Sequence, residues 1–184
     1  MLAVLHYDSK WLDYQFIDEQ CLREQIAQFE SGSDKNKEHY RYASFCRLLS
    51  RAVLDDVILN RLVELALLDE DQTLANAVLA ELVRHPGLTA EQLSYLKAHP
   101  AYASPGLQNV VEQAQLLREL SSSELSDDLF SRCMLSGEDV VQRKLLKDAR
   151  ISKEQLQTLA DYAANRAVRN LAKQRLRGVA PKLD

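Results

Sequence analysis

Four histidines, three cysteines and the acidic run Asp69-Glu70-Asp71 are the residues of this 184-residue chain whose types suit metal binding, thiol chemistry or acid–base catalysis. Their spacing suits none of these. His6, His39, His85 and His99 form no pair at metal-ligand intervals, and His85 and His99 each precede a proline, so all four read as helix-terminal or loop residues. Asp69-Glu70-Asp71 has the acid density of a calcium loop but lacks the glycine at the sixth position and the glutamate at the twelfth, which leaves a solvated turn. Cys21, Cys46 and Cys133 are odd in number and far apart, the pattern of reduced thiols on helix faces in the cytoplasm. Gly106 and Gly137 are isolated, so no glycine-rich phosphate loop exists. No serine or cysteine is set beside a histidine that would activate it. Neither catalysis nor a metal or other cofactor is expected. Trp11, Tyr40 and Tyr42 read as core or groove-lining aromatics.

The feature that departs from this background is the distribution of charge. Residues 1–141 carry 12 Lys and Arg against 23 Asp and Glu, whereas residues 142–184 carry 11 against 4. A basic final stretch thus follows an acidic majority. Arg166, Arg169, Lys173 and Arg177 recur at three- and four-residue intervals, which places them along one side of a helix. Arg143, Lys147 and Arg150 repeat that pattern one helix pair earlier. If the two helices are neighbours, the rows merge into one positive patch that would dock an acidic protein surface or a nucleic acid backbone. The competing reading is a solvated face whose cations near helix C-termini favour the dipole. With a net charge of −4 and only Tyr162 as an aromatic near the patch, an acidic protein partner is expected ahead of nucleic acid.

The elements that must carry these residues are marked by capping chemistry. In Leu88-Thr89-Ala90-Glu91-Gln92-Leu93, Thr89 suits a helix N-cap, Gln92 can reach back to complete a capping box, and Leu88 and Leu93 form a hydrophobic staple. The same arrangement recurs at Ile17/Asp18/Leu22, Leu54/Asp55/Leu59, Leu120/Ser121/Leu125 and Ile151/Ser152/Leu156, with successive starts 37, 34, 32 and 31 residues apart. Glu124 would complete a box with Ser121. Second helices are expected from Leu74 to before Pro86, from Ser104-Pro105, from Glu138-Asp139 and from about Asn165 to Arg177. Residues 31–37 lack anything apolar to bury and read as a mobile loop; residues 40–68 are either one bent helix or two.

Each unit is therefore a pair of antiparallel helices too short to bury its own apolar stripe, so stacking of about five such pairs is expected. A plain orthogonal bundle with shared capping chemistry is the alternative. The whole chain, 1–184, reads as a single all-α domain, with an N-terminal cap and first helix pair in 1–54, helical repeats in 55–177 and a C-terminal tail in 178–184. No stretch approaches the ~20 apolar residues that span a bilayer, so no membrane partner is expected and the cytoplasm is the expected location.

Leu88-Thr89-Ala90-Glu91-Gln92-Leu93 and Ile151-Ser152-Lys153-Glu154-Gln155-Leu156, each followed by leucine three residues on, resemble the first helix of HEAT-like repeats. His85-Pro86-Gly87-Leu88 and residues 164–172 are similar to the bacterial leucine-rich repeat variant, an all-helical relative. The variant's N-terminal cysteine cluster is absent, so no iron–sulfur role carries over. The resemblance, over about residues 55–177, implies a HEAT-like α-solenoid, a right-handed superhelix that acts as a scaffold for macromolecular partners.

Overall fold

The computed structural model describes residues 1–51, 54–122 and 124–178. The chain is helical throughout, with twelve α-helices and one 3-10 turn and no strand among the described residues. It divides into two compact units, Met1–Gln108 and Asn109–Asp184. The first holds α1 (Leu2–Leu5), α2 (Lys10–Asp13), α3 (Glu19–Ser31), α4 (Lys37–Arg51), α5 (Asp56–Leu68), α6 (Gln72–Arg84), α7 (Ala90–Ala98), the 3-10 turn Pro100–Tyr102 and the opening of α8 (Pro105–Ser122). The second holds the rest of α8, then α9 (Asp127–Leu135), α10 (Asp139–Lys147), α11 (Lys153–Tyr162) and α12 (Arg166–Leu176). No helix is long and apolar enough to cross a membrane among the described residues.

Four of the five expected starts are where capping chemistry puts them. Asp18 accepts from Cys21 N at 2.7 Å and Asp55 from Ile58 N at 2.8 Å. Thr89/Gln92 and Ser152/Gln155 form full capping boxes, each satisfying two amides that the helix leaves without a partner. Asp55 also settles the tract 40–68, which is two helices, α4 and α5; Ala52 and Val53 lie outside the described residues.

The fifth start is different. Ser121 and Ser122 do not cap a helix but close α8, their hydroxyls donating back to the Leu117 and Arg118 carbonyls. Ser126 takes the cap instead, accepting from Leu129 N, with Leu125 and Phe130 at the staple positions. The reason is the apolar register of α8: Leu116 and Leu120 are both buried, so the helix gains by continuing past Leu120. With this shift the caps at 18, 55, 89, 126 and 152 are 37, 34, 37 and 26 residues apart, and the steady shortening expected from the sequence is lost.

In the first unit Trp11 is the centre of an aromatic cluster, edge-on to Tyr7 at 5.1 Å and to Phe45 at 4.5 Å. Leu5, Leu22, Leu59, Leu62, Leu79 and Leu82 are buried in the same unit, each contributing about 1.5–3 kcal/mol of apolar burial. The Tyr7 hydroxyl is bonded to Gln25, Ser44 and the Tyr40 carbonyl, and burial pushes its pKa up to about 12. In the polar stretch after α3, Lys35 Nζ donates to the Phe29 and Glu30 carbonyls and Asp34 accepts from Asn36 N.

The acidic turn after α5 departs from a solvated one. Asp69 and Arg41 have side chains only 3% exposed and face each other through two bonds, Nε to Oδ2 at 2.7 Å and Nη2 to Oδ1 at 2.9 Å. Arg41 Nη1 also donates to the Leu5 carbonyl at 2.8 Å. This clamp ties α1, α4 and the end of α5 together, and Asp71, two residues on, caps α6.

The second unit packs Leu129, Cys133, Val141, Leu145, Leu159 and Val168 into one core, and the small Ala160 and Ala172 allow α11 and α12 to approach closely. Gly137 at the α9–α10 corner is required by space, since a Cβ there would stand 2.2 Å from the Cys133 carbonyl oxygen.

Candidate functional site

Whether the two basic rows adjoin depends on how α10 and α12 are set. Gln142, buried at the start of α10, accepts from Ala164 N at 3.0 Å, immediately before α12. At the other end Arg175 of α12 donates to the Leu146 and Asp148 carbonyls at the C-terminal end of α10. N-terminal end therefore meets N-terminal end and C-terminal end meets C-terminal end. The two helices are parallel neighbours.

Contacts also fix the rotation of each helix. On α10, Gln142 points to the α12 side, Lys144 bonds Ser121 on α8, and Val141 and Leu145 enter the core. At 100° per residue this leaves Val140, Arg143 and Lys147 facing outward. On α12, Arg175 points to α10 and Val168 and Ala172 enter the core, so Arg166, Lys173 and Arg177 face outward. The two outward stripes lie on the same side of the unit.

The seven basic residues singled out by spacing divide into two groups. Lys147, Arg166, Lys173 and Arg177 are exposed, and among the described residues none has an ion pair or a side-chain hydrogen bond. The other three are engaged within the unit. Arg143 pairs with Asp139 one turn back, Nε to Oδ2 at 2.6 Å. Arg150 grips the Asp148 carboxylate and donates to the Leu120 carbonyl at 2.7 Å, and this pairing holds the Asp148 carboxyl below the usual carboxylate range. Arg169 turns back onto the Ala163 and Ala164 carbonyls. Arg150 and Arg175 thus satisfy the orphan carbonyls at the ends of α8 and α10, which is a structural duty.

Three features of this surface escaped the spacing argument. Gln142 is one, because a buried glutamine in a helix carries no sequence signal of its own. Lys144 and Arg175 are the others, both aimed at neighbouring elements. Large apolar side chains also stand open to solvent here: Leu135 is 86% exposed, Val140 64% and Tyr162 77%.

Elsewhere the chemistry is sparse. His6, His85 and His99 follow the ends of α1, α6 and α7, and His39 lies in the first turn of α4. No group of three or more His, Cys, Asp or Glu side chains among the described residues is placed to hold a metal ion. The three cysteines are free thiols, and burial pushes the Cys133 pKa up to about 11. A cavity of about 440 Å³ beside α5 and α7 is lined by Asp56, Leu59, Asn60, Gln92 and Tyr95. Comparison of the chain with known protein families, curated proteins and solved structures finds no match.

Proposed function

We propose that this chain is a non-catalytic protein-interaction module of HEAT-like α-solenoid type, docking an acidic partner through the outward face of α10 and α12. The observation that carries the reading is the parallel placement of those helices with Lys147, Arg166, Lys173 and Arg177 exposed on one side and without a counter-ion among the described residues. Asp148 at the same end is already neutralised by Arg150. Cations so arranged act together on an approaching acidic surface, raising the rate of encounter and fixing its orientation.

Stacking of like helices within each unit supports the solenoid part. In the first, α4 packs on α6; in the second, α9 packs on α11 and α10 on α12. One polar rung is used twice. The capping-box glutamine of α7, Gln92, donates to Asp56 in the first turn of α5, and that of α11, Gln155, donates to Asp127 in the first turn of α9, at 2.9 and 3.0 Å. The same residue types at the same helix positions join one first helix to the preceding one, as a repeat architecture requires.

Fluorescence anisotropy with labelled poly-glutamate and with a labelled DNA duplex, each titrated at low and high salt, tests this. Poly-glutamate should bind in low salt, weaken in high salt and be released by Lys147→Glu with Lys173→Glu. Duplex binding of greater strength and steep salt dependence would replace the acidic-protein reading by a nucleic-acid one, and binding of neither would end both.

A further inference from the structure

The first unit holds a cavity of about 440 Å³ beside α5 and α7. Two polar bridges join these helices and show that they run in the same direction. Gln92, 7% exposed, donates to the Asp56 carboxylate and to the Leu54 carbonyl, each at 2.9 Å, and about one turn further the Tyr95 hydroxyl donates to Asn60 Oδ1 at 2.7 Å. Both bridges line the cavity, together with Glu91 and the aliphatic Leu59. Among the described residues no lysine, arginine or histidine lines it, and neither Asp56 nor Glu91 has an ion pair. Bonds from its own amide and from the Thr89 hydroxyl hold the Glu91 carboxyl below the usual carboxylate range, so it is charged at neutral pH. Two helix starts offset about one unit of negative charge between them, and two carboxylates exceed that.

The second unit shows which of these residues the packing requires. There Gln155 and Asp127 make the same rung at the same helix positions and Glu154 matches Glu91, but Ser131 and Thr158 stand where Asn60 and Tyr95 would be. Thr158 donates back to the Glu154 carbonyl of its own helix. The glutamine rung thus serves without a second bridge, and the Tyr95–Asn60 bond is an addition that fixes an aromatic ring, 44% exposed, in one cavity with two carboxylates. We infer that this cavity binds a guanidinium on an aliphatic stem, its plane stacked on the Tyr95 ring and its N–H groups on the Asp56 and Glu91 carboxylates, with the stem along Leu59. A guanidinium fits better than an ammonium because it is flat, weakly hydrated and presents several donors in one plane. Cavities of this size hold small ligands, so the group can arrive as a free guanidine or on an arginine side chain. The inference is independent of the α10–α12 reading.

The test titrates the full, isotope-labelled chain with butylguanidine, its neutral isostere butylurea, pentylamine and acetyl-Gly-Arg-Gly-amide, followed by amide NMR at constant ionic strength. Butylguanidine should give saturable shifts confined to the amides around Asp56, Asn60, Glu91 and Tyr95, bind about tenfold tighter than pentylamine, and find no counterpart in butylurea. Asp56→Asn with Glu91→Gln, which keeps an acceptor for Gln92, should weaken it at least about tenfold. Tyr95→Leu should weaken it about three- to tenfold, and Tyr95→Phe, which keeps the ring, should restore most of that loss. Far-UV melts check that the variants fold, and Glu91→Gln alone, at an exposed position, serves if the pair does not. A peptide that binds as tightly as butylguanidine or tighter assigns the site to an arginine of a partner chain, and one that binds weaker assigns it to a free guanidine. Equal binding of pentylamine, shifts that spread over the other acids of the unit without saturating, no shift at all, or full binding by Tyr95→Leu overturns the inference, and none of these touches the α10–α12 reading.

Discussion

Asp69→Ala should destabilise the first unit far more than any surface change of similar size. It strips the counter-ion from Arg41, a residue 2% exposed, and removes three hydrogen bonds, two from Arg41 at 2.7 and 2.9 Å and one from Asp71 N at 2.9 Å. Breaking a buried pair on one side leaves an uncompensated charge at a cost of about 3–5 kcal/mol, a large share of the roughly 5–15 kcal/mol that holds a domain together. For a unit of this size each kcal/mol is worth roughly 4–8 °C, so the melting point should fall by at least about 12 °C. The readout is selective, because Trp11 is the single tryptophan of the chain, sits 1% exposed between Tyr7 and Phe45, and reports only on the first unit. Urea melts followed by its fluorescence should show the loss in midpoint. Arg41→Met with Asp69→Leu should recover part of it, since neither charge is then buried, leaving the Leu5 carbonyl without its 2.8 Å donor and Asp71 N without its 2.9 Å acceptor, about 1–3 kcal/mol for each that stays buried. A single-variant loss below about 1 kcal/mol, or a double variant costing the sum of the singles, would refute the view that this pair clamps the unit.

Ser126→Ala should cost about 1 kcal/mol in a chemical melt followed by circular dichroism, while Ser121→Ala stays within about 0.5 kcal/mol, because only Ser126 caps a helix. Asp148 has its pKa lowered chiefly by its hydrogen bonds from Arg150, so the stability this adds is present above the unfolded carboxylate value near ~4 and is lost as pH falls through the lower folded value. Arg150→Met should flatten that acid limb in urea melts taken across pH. Thiol titration should find Cys46 fast, the half-buried Cys21 slower and Cys133 reactive only once denaturant is added; early reaction of Cys133 would contradict its burial.

The helix starts were legible because capping is local: Asp18, Asp55, Thr89 and Ser152 each act within three residues of themselves. Ser121 shows where that stops. Leu120-Ser121 with Leu125 and Leu125-Ser126 with Phe130 satisfy the same local pattern, and the choice between them is made by the burial of Leu116 and Leu120 against other helices. The Arg41–Asp69 clamp was invisible for a similar reason. Its partners are 28 residues apart, and an acid in a polar turn looks solvated until a helix brings an arginine to it.

For the basic residues the limit lies in rotation. A three-and-four interval places side chains on one side of a helix but leaves open which neighbour that side meets. Arg143 and Lys147 share a stripe on α10, yet one is held by Asp139 and the other is not. Arg150 and Arg169 carry the charge expected of a docking surface and use it on carbonyl oxygens, for which the planar guanidinium with its several N–H donors is well shaped. Once these are set aside, Arg166 remains at the start of α12 and Lys147, Lys173 and Arg177 lie at the C-terminal ends of two parallel helices, where the backbone already contributes partial negative charge. Two dipole ends account for about one unit of charge between them and three cations exceed it, and this excess is what the proposed acidic partner would meet.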